Sequence, residues 1–268
     1  MPARCRHYGD CSRRARNAPV LELHGVSKHF GGVRAVDGVD LTVARGEILG
    51  LIGPNGSGKS TIVNLICGLF PLTSGRIVFD GADISVVPMH ARVTCGIART
   101  FQNIRLFGQL TVWQNLWVAQ NSGEQRRQNF ARRWFGGPSG VREEIERTLE
   151  FFDLAQKSDE LAGNLSFGEQ RRLEFARALS ASPKLLLLDE PAAGMNAEEI
   201  DQLDARIRKM QQTGLTVLLI EHHMELVMSI ADRIAVLNFG QKIAEGTPAA
   251  VQANAAVREA YLGTTEVG

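Results

Sequence analysis

A chain of 268 residues has room for one large domain or two small ones, with a sizeable core. Apolar residues make up 44% and charged residues 22%, as in ordinary soluble globular proteins. A formal net charge of +1, without any block of like charges, excludes the basic excess expected where the main work is gripping nucleic acid. No apolar run approaches the roughly 18 residues that a membrane span needs. The cysteines Cys5, Cys11, Cys67 and Cys95 form no CxxC pair, so a reducing compartment is expected, with neither a disulfide framework nor a zinc site.

The first 18 residues carry Arg4, Arg6, Arg13, Arg14 and Arg16 without the apolar stretch of a signal peptide. A disordered basic tail is the expectation, with contact to anionic lipid head groups as the alternative. Strand-like alternation follows over 20–24 and 39–43. A short apolar strand over 47–52 runs into a glycine-rich loop, then a helix over about 59–70 and a strand over 76–79. Residues 102–180 read as mostly helical, with one helix opening at Thr111 and another over 141–152 that shows Ile145, Leu149 and Phe152 on one face. Between them, residues 122–140 are rich in Gly and Arg. The last third alternates strands (185–188, 216–220, 234–237) with helices (198–211, 224–230), which points to a mostly parallel sheet with helices on its faces.

Gly53, Pro54, Asn55, Gly56, Ser57, Gly58, Lys59, Ser60 and Thr61 fit G-x-x-x-x-G-K-[ST], with a strand before and a helix after. The glycines let the backbone curl so that successive N–H groups point at phosphate oxygens. The helix from Lys59 adds its positive end. Lys59 supplies a point charge to β- and γ-phosphates, and the Ser60 hydroxyl is a ligand for Mg²⁺. Leu185 to Leu188 make a strand buried on both faces, which delivers Asp189 and Glu190 at its carboxyl end. Asp189 is expected to hold Mg²⁺ through water, and Glu190 to take a proton from the attacking water. These two motifs specify a P-loop NTPase. Ser166 and Glu169 form an S-x-x-E capping box that opens a helix, and Ser166, Gly168 and the bare helix N–H groups also make an anion site.

The segment Asn164-Leu165-Ser166-Phe167-Gly168-Glu169-Gln170 resembles the LSGGQ signature of ABC ATPases, and the resemblance covers about 20–246. It implies an α/β fold of the ABC type: a mostly parallel sheet core, an antiparallel β subdomain and a helical signature subdomain. The implied layout is one ATPase domain over 19–268, with a RecA-like core at 19–101 and 181–246, a helical subdomain at 102–180 and a C-terminal helical extension at 247–268. Gln102 matches the Q-loop glutamine that senses Mg²⁺ and nucleotide, and His222 matches the switch histidine that touches the γ-phosphate. Phe30 matches the aromatic that stacks on adenine, with core packing as the alternative.

Phe167 in place of the first signature glycine, Glu169 in place of the glutamine, and Asn196 in place of an aspartate are departures from the family pattern. Stretches 99–107, 189–196 and 220–224 resemble the longer ATPase of branched-chain amino acid importers, whose aspartate after the switch histidine is His223 here. That resemblance implies ATP and Mg²⁺, a position on the cytoplasmic face of the membrane, integral membrane permeases, a second ATPase subunit closing an ATP sandwich, and indirectly a solute-binding protein. No nucleic acid is expected. A soluble ABC ATPase acting on DNA or ribosomes, and an ABC export subunit, are the rival readings. Arg126, Arg127, Phe130, Arg132, Arg133, Trp134 and Phe135 of the 122–140 connection suit either a solvated loop partly packed on the helical subdomain or a contact with the membrane partner or lipid head groups.

Overall fold

The computed structural model describes residues 19–100, 104–120 and 139–262. The basic tail, Phe101 to Asn103 with Gln102, and nearly all of the arginine- and aromatic-rich connection lie outside the described residues. In chain order the first elements are β1 (Leu21–Phe30), β2 (Val33–Val43), β3 (Ile48–Ile52), α1 (Lys59–Cys67), β4 (Ser74–Phe79), β5 (Ala82–Asp83), α2 (Met89–Cys95) and β6 (Ile97–Arg99). The middle holds α3 (Val112–Gln120), α4 (Ser139–Phe151) and α5 (Phe167–Ser180). Then come β7 (Leu185–Asp189), α6 (Ala197–Gln212), β8 (Thr216–Ile220), α7 (Met224–Ile230), β9 (Arg233–Asn238), β10 (Gln241–Gly246), α8 (Pro248–Ala253) and α9 (Ala255–Leu262).

The strands build two sheets. One is antiparallel, in the order β2-β1-β4-β5; the other runs β10-β9-β3-β8-β7-β6 and is parallel except for the β9–β10 hairpin. Because side chains alternate across a strand, each central strand feeds two cores. Ile48, Ile52, Leu186, Leu188, Val217 and Leu219 join the core shared with the helices α3 to α7. Leu49, Leu51, Leu185, Leu187, Leu218 and Ile220 join the core shared with α1 and the antiparallel sheet. Gly50 in mid-β3 has no side chain to offer: a Cβ there would lie 2.7 Å from Cγ1 of Val227, so α7 packs directly on the strand backbone.

The sequence reading carries α1 to about residue 70, whereas the helix stops at Cys67. Gly68 adopts φ 76° and its N–H closes back on the last turn, a glycine C-cap. A second device holds this end. Arg92 of α2 is buried and donates to the Leu65 and Ile66 carbonyls at 2.6 and 2.9 Å, and to Val87 at 2.7 Å. These carbonyls belong to the last turn of α1, where a cation also complements the helix dipole. Thr111 opens α3 as expected, and Gln114 reciprocates: each side chain accepts from the other's backbone N–H, at 3.1 and 2.9 Å. Ile145, Leu149 and Phe152 are all buried, as their spacing foretells.

Replacing Arg92 with Met keeps the bulk but leaves buried carbonyls without a donor. We expect a loss of about 2–3 kcal/mol in urea unfolding, together with weaker nucleotide affinity, because α1 begins at the phosphate loop.

Candidate nucleotide site

The loop after β3 is shaped by glycines at two close approaches. Gly53, at φ 152°, would drive a Cβ into the Leu237 carbonyl, and Gly58, at φ 104°, would drive one into the Ala35 carbonyl. Gly58 is the N-cap of α1 and makes no side-chain cap, and no acidic residue lies in the first turn. The helix therefore presents uncapped N–H groups and its positive end to the loop. Lys59, only 7% exposed, folds its ammonium inward onto the Gly53 carbonyl at 2.7 Å, the Pro54 carbonyl at 2.8 Å and Ser57 Oγ at 3.4 Å. Burial lowers its pKa below the ordinary value, and the Glu190 carboxylate opposes that shift. Asn55, Gly56 and Ser60 are exposed, and Thr61 is half-buried. This donor set, with a cation held inside it and no carboxylate, fits phosphate.

β7 and β8 bring the acidic groups to the same edge. Asp189 is buried and takes Arg99 Nη2 at 2.6 Å, while Arg99 Nη1 donates to Asn64 Oδ1 at 2.7 Å. The expected Mg²⁺ carboxylate is thus tied through one guanidinium to β6 and α1. Glu190 sits at φ 48°, a left-handed conformation uncommon for a residue with a side chain, and its N–H donates to the Ile220 carbonyl at 2.8 Å. His222 is half-exposed, with Nδ1 3.9 Å from Glu190 Oε1 and 3.6 Å from Glu221 Oε2. The structure therefore assembles Lys59, Asp189, Glu190 and His222 at one sheet edge.

Ser166 and Gly168 are built differently. Ser166 is the N-cap of α5, and the capping box is complete. Glu169 Oε2 accepts from the Ser166 N–H at 2.9 Å and from its hydroxyl at 2.8 Å, and Ser166 Oγ accepts from the Glu169 N–H at 3.4 Å. Lys157 Nζ reaches Glu169 Oε1 at 2.8 Å. The Lys157 ammonium and then the Ser166 hydrogen bonds hold the Glu169 pKa down to about 2. A Cβ on Gly168 would meet Glu199 Oε1 at 3.7 Å, an ordinary contact, so no group among the described residues demands glycine there. Neither Ser166 nor Gly168 is bonded to its own phosphate loop.

Phe30 joins neither core. It is 44% exposed, its ring meets Phe70 edge-on at 5.3 Å between centroids, and Lys28 Nζ lies 4.9 Å from its centre. Core packing is thus set aside for Phe30.

Three residues near the site receive no role in the sequence reading. Arg99 and Glu221 act through partners distant in sequence. The third, Tyr261 in α9, lies against the Gly53 backbone; burial pushes its pKa up to about 12, and the Gly53 hydrogen bond opposes the rise.

A family profile described as ABC transporter matches residues 36–193. The chain belongs to the ABC transporter ATP-binding family. A second profile, described as branched-chain amino acid ATP-binding cassette transporter, matches residues 241–267. The high-affinity branched-chain amino acid transport ATP-binding protein BraF of Pseudomonas aeruginosa is 44% identical over 252 residues, 91% of this chain and 98% of the relative. LivG of Escherichia coli K12, with the same description, is 41% identical over 254 residues, again 91% and 98%. The lipopolysaccharide export ATP-binding protein LptB of Haemophilus influenzae is 36% identical, covering 91% and 97%. Among solved structures, an ATP-binding cassette of an ABC transporter in its ADP conformation superposes with a TM-score of 0.80 at 32% identity, covering 92% of this chain and 99% of that one. This ABC chain is an ATPase with the family's α/β architecture. Among its described residues, no helix is long and apolar enough to cross a membrane.

A carboxylate held low in the fold adds stability above its unfolded pKa and loses it as pH falls toward its folded one. Glu169 should follow that course between its ordinary 4.5 and about 2. We expect Glu169→Gln to lower the thermal midpoint at neutral pH. The gap from the unaltered chain should narrow below about pH 4.5, measured by melting curves across the acid range.

Proposed function

We infer that this ATPase is the motor subunit of an ABC importer for branched-chain amino acids, and that the assembled edge groups carry the hydrolysis. The observation behind the chemical part is the convergence of Lys59, Asp189, Glu190 and His222 at the carboxyl ends of β3, β7 and β8. In this reading the loop Gly53 to Thr61 wraps the phosphates, and Lys59 exchanges its carbonyl partners for β- and γ-phosphate oxygens. Phe30 stacks on the adenine. Glu190 accepts a proton from water as the water oxygen attacks the γ-phosphorus, and the bond to the ADP oxygen breaks. His222 donates a hydrogen bond to the γ-phosphate. Ser60 and Asp189, with Gln102, would hold Mg²⁺, which when bound neutralises charge on the transferring phosphoryl group. To bind it, Asp189 must share or release Arg99.

Ser166 and Gly168, bonded within the start of α5, would close on the nucleotide of a second ATPase subunit. The space at Gly168 supports this, because among the described residues a Cβ there would make only an ordinary contact with Glu199. Charge-assisted bonds of about 1.5–3 kcal/mol each would make closure depend on the γ-phosphate. Hydrolysis then reopens the pair, a two-state element biased by ligand. We read residues 19–268 as one ATPase unit with core, β, helical and C-terminal parts. It would sit at the cytoplasmic face of the membrane against two permeases, which a solute-binding protein serves.

The solute assignment rests on the C-terminal profile and on relatives matched over nearly their whole length. An export role is the second reading, since a lipopolysaccharide export ATPase is also 36% identical. Affinity purification from detergent-solubilised membranes separates them: two permeases and a sister ATPase are expected, and recovery with an envelope-export assembly would overturn import. For the chemistry, Glu190→Gln should slow hydrolysis by about 10²–10⁴ while ATP still binds; near-normal turnover would remove Glu190 from its role.

A further inference from the structure

Glu221 is a charged residue type with no exposure at all, placed immediately before His222. Its carboxylate accepts mainly from backbone, and Oε2 also lies 3.6 Å from His222 Nδ1. Oε1 accepts from the Ala192 N–H at 2.8 Å, and Oε2 accepts from the His222 and His223 N–H groups at 2.9 and 3.2 Å. Ala192 lies two residues beyond Glu190, in the turn after β7, whereas His222 and His223 lie in the turn after β8. One buried side chain therefore staples the two turns that carry the two proposed reacting groups. A backbone bond, from Glu190 N–H to the Ile220 carbonyl at 2.8 Å, also links the two strand ends. Without the carboxylate, three N–H groups, that of Ala192 buried, would lose this acceptor, and the two turns would lose the side chain that ties them together.

We propose that Glu221 is a positioning residue for hydrolysis: it fixes the spacing between Glu190 and His222 by holding both turns through their backbone amides. A carboxylate is suited to this task because it offers two acceptor oxygens and no donor. A glutamine of the same shape offers one oxygen and turns an NH₂ toward an N–H, so it cannot satisfy both turns. The inference rests on the roles proposed for Glu190 and His222, and it predicts a loss in the chemical step rather than in nucleotide binding.

The test is Glu221→Gln, His222→Ala and the double variant, in the complex recovered from membranes. Steady-state hydrolysis and binding of a fluorescent ATP analogue are measured for each. For Glu221→Gln we expect kcat to fall about 10–100-fold, as for other residues that orient a reacting group, with KM and analogue affinity within about twofold of the unaltered complex. The double variant should be no slower than His222→Ala, since residues acting as one unit are non-additive. Unchanged kcat, a rise in KM alone, or additive losses would overturn the inference. Normal turnover in His222→Ala would instead overturn the reading of the site, so the two failures are told apart. If Glu221→Gln does not fold, Glu221→Asp keeps the charge but is one methylene too short to span both turns. It must show the same kcat loss, and wild-type turnover there overturns the proposal.

Discussion

Ile220 at the end of β8 pairs in register with Leu51 of β3 on one side and Asp189 of β7 on the other, so three parallel strands finish at one level. The phosphate loop leaves just beyond Ile52, the two acids stand at 189–190, and Glu221 and His222 follow at 221–222. This level edge is fixed from below. Every residue of β3, β7 and β8 is buried, and odd and even positions feed different cores. A one-residue slip in any strand would exchange its two faces and misfit both cores at once. The geometry of the site is thus inherited from packing that surrounds it on both sides, as a parallel sheet requires.

That dependence explains what could be read in the sequence. The phosphate loop, the Leu185 strand with its acids, and the Ser166–Glu169 box are local patterns whose spacing carries the geometry, and each lies where the pattern puts it. The strands over 47–52, 185–188 and 216–220 were legible for the same reason: short apolar runs bounded by turns. Arg92, Arg99 and Glu221 were not. Each is one charged residue whose meaning lies with partners tens of residues away, such as Leu65 for Arg92 and Asp189 for Arg99. The end of α1 was overrun because Leu69 and Phe70 continue an apolar pattern, whereas Gly68 alone reverses the chain. The two-residue β5, the three-residue β6 and the short α2 are too brief for periodicity to register.

Within the site, Lys59 and Asp189 each have partners within the chain. Lys59 rests on two carbonyls, and Asp189 rests on Arg99. Neither charge is left bare in a buried setting, which would cost far more than an imperfect pairing. In the proposed mechanism, nucleotide binding exchanges one set of hydrogen bonds for another, so its net gain is a difference between two satisfied states. Burial lowers the pKa of Lys59, and the neighbouring Glu190 carboxylate opposes that shift and so favours the charged lysine.

The departures from the family pattern are absorbed by the same rule that buried or local polar groups find partners. Glu169 brings a carboxylate to an anion site, which would repel phosphate if it faced outward. It instead turns back on Ser166 and Lys157, and its low pKa keeps that arrangement at all but strongly acid pH. Asn196 is the N-cap of α6, accepting from the Glu199 N–H at 3.0 Å while Glu199 returns the bond at 2.9 Å. Asn and Asp cap about equally well, so the local role of an aspartate survives the exchange and only its charge is lost. His223 stands at the N-cap of α7 with no side-chain cap, and its backbone N–H is taken by Glu221. Phe167 differs in kind: 57% exposed beside Ser166, with Arg171 5.8 Å from its ring centre, it leaves an apolar face uncovered beside the signature serine. Among the departures, Phe167 is the one apolar side chain left largely exposed.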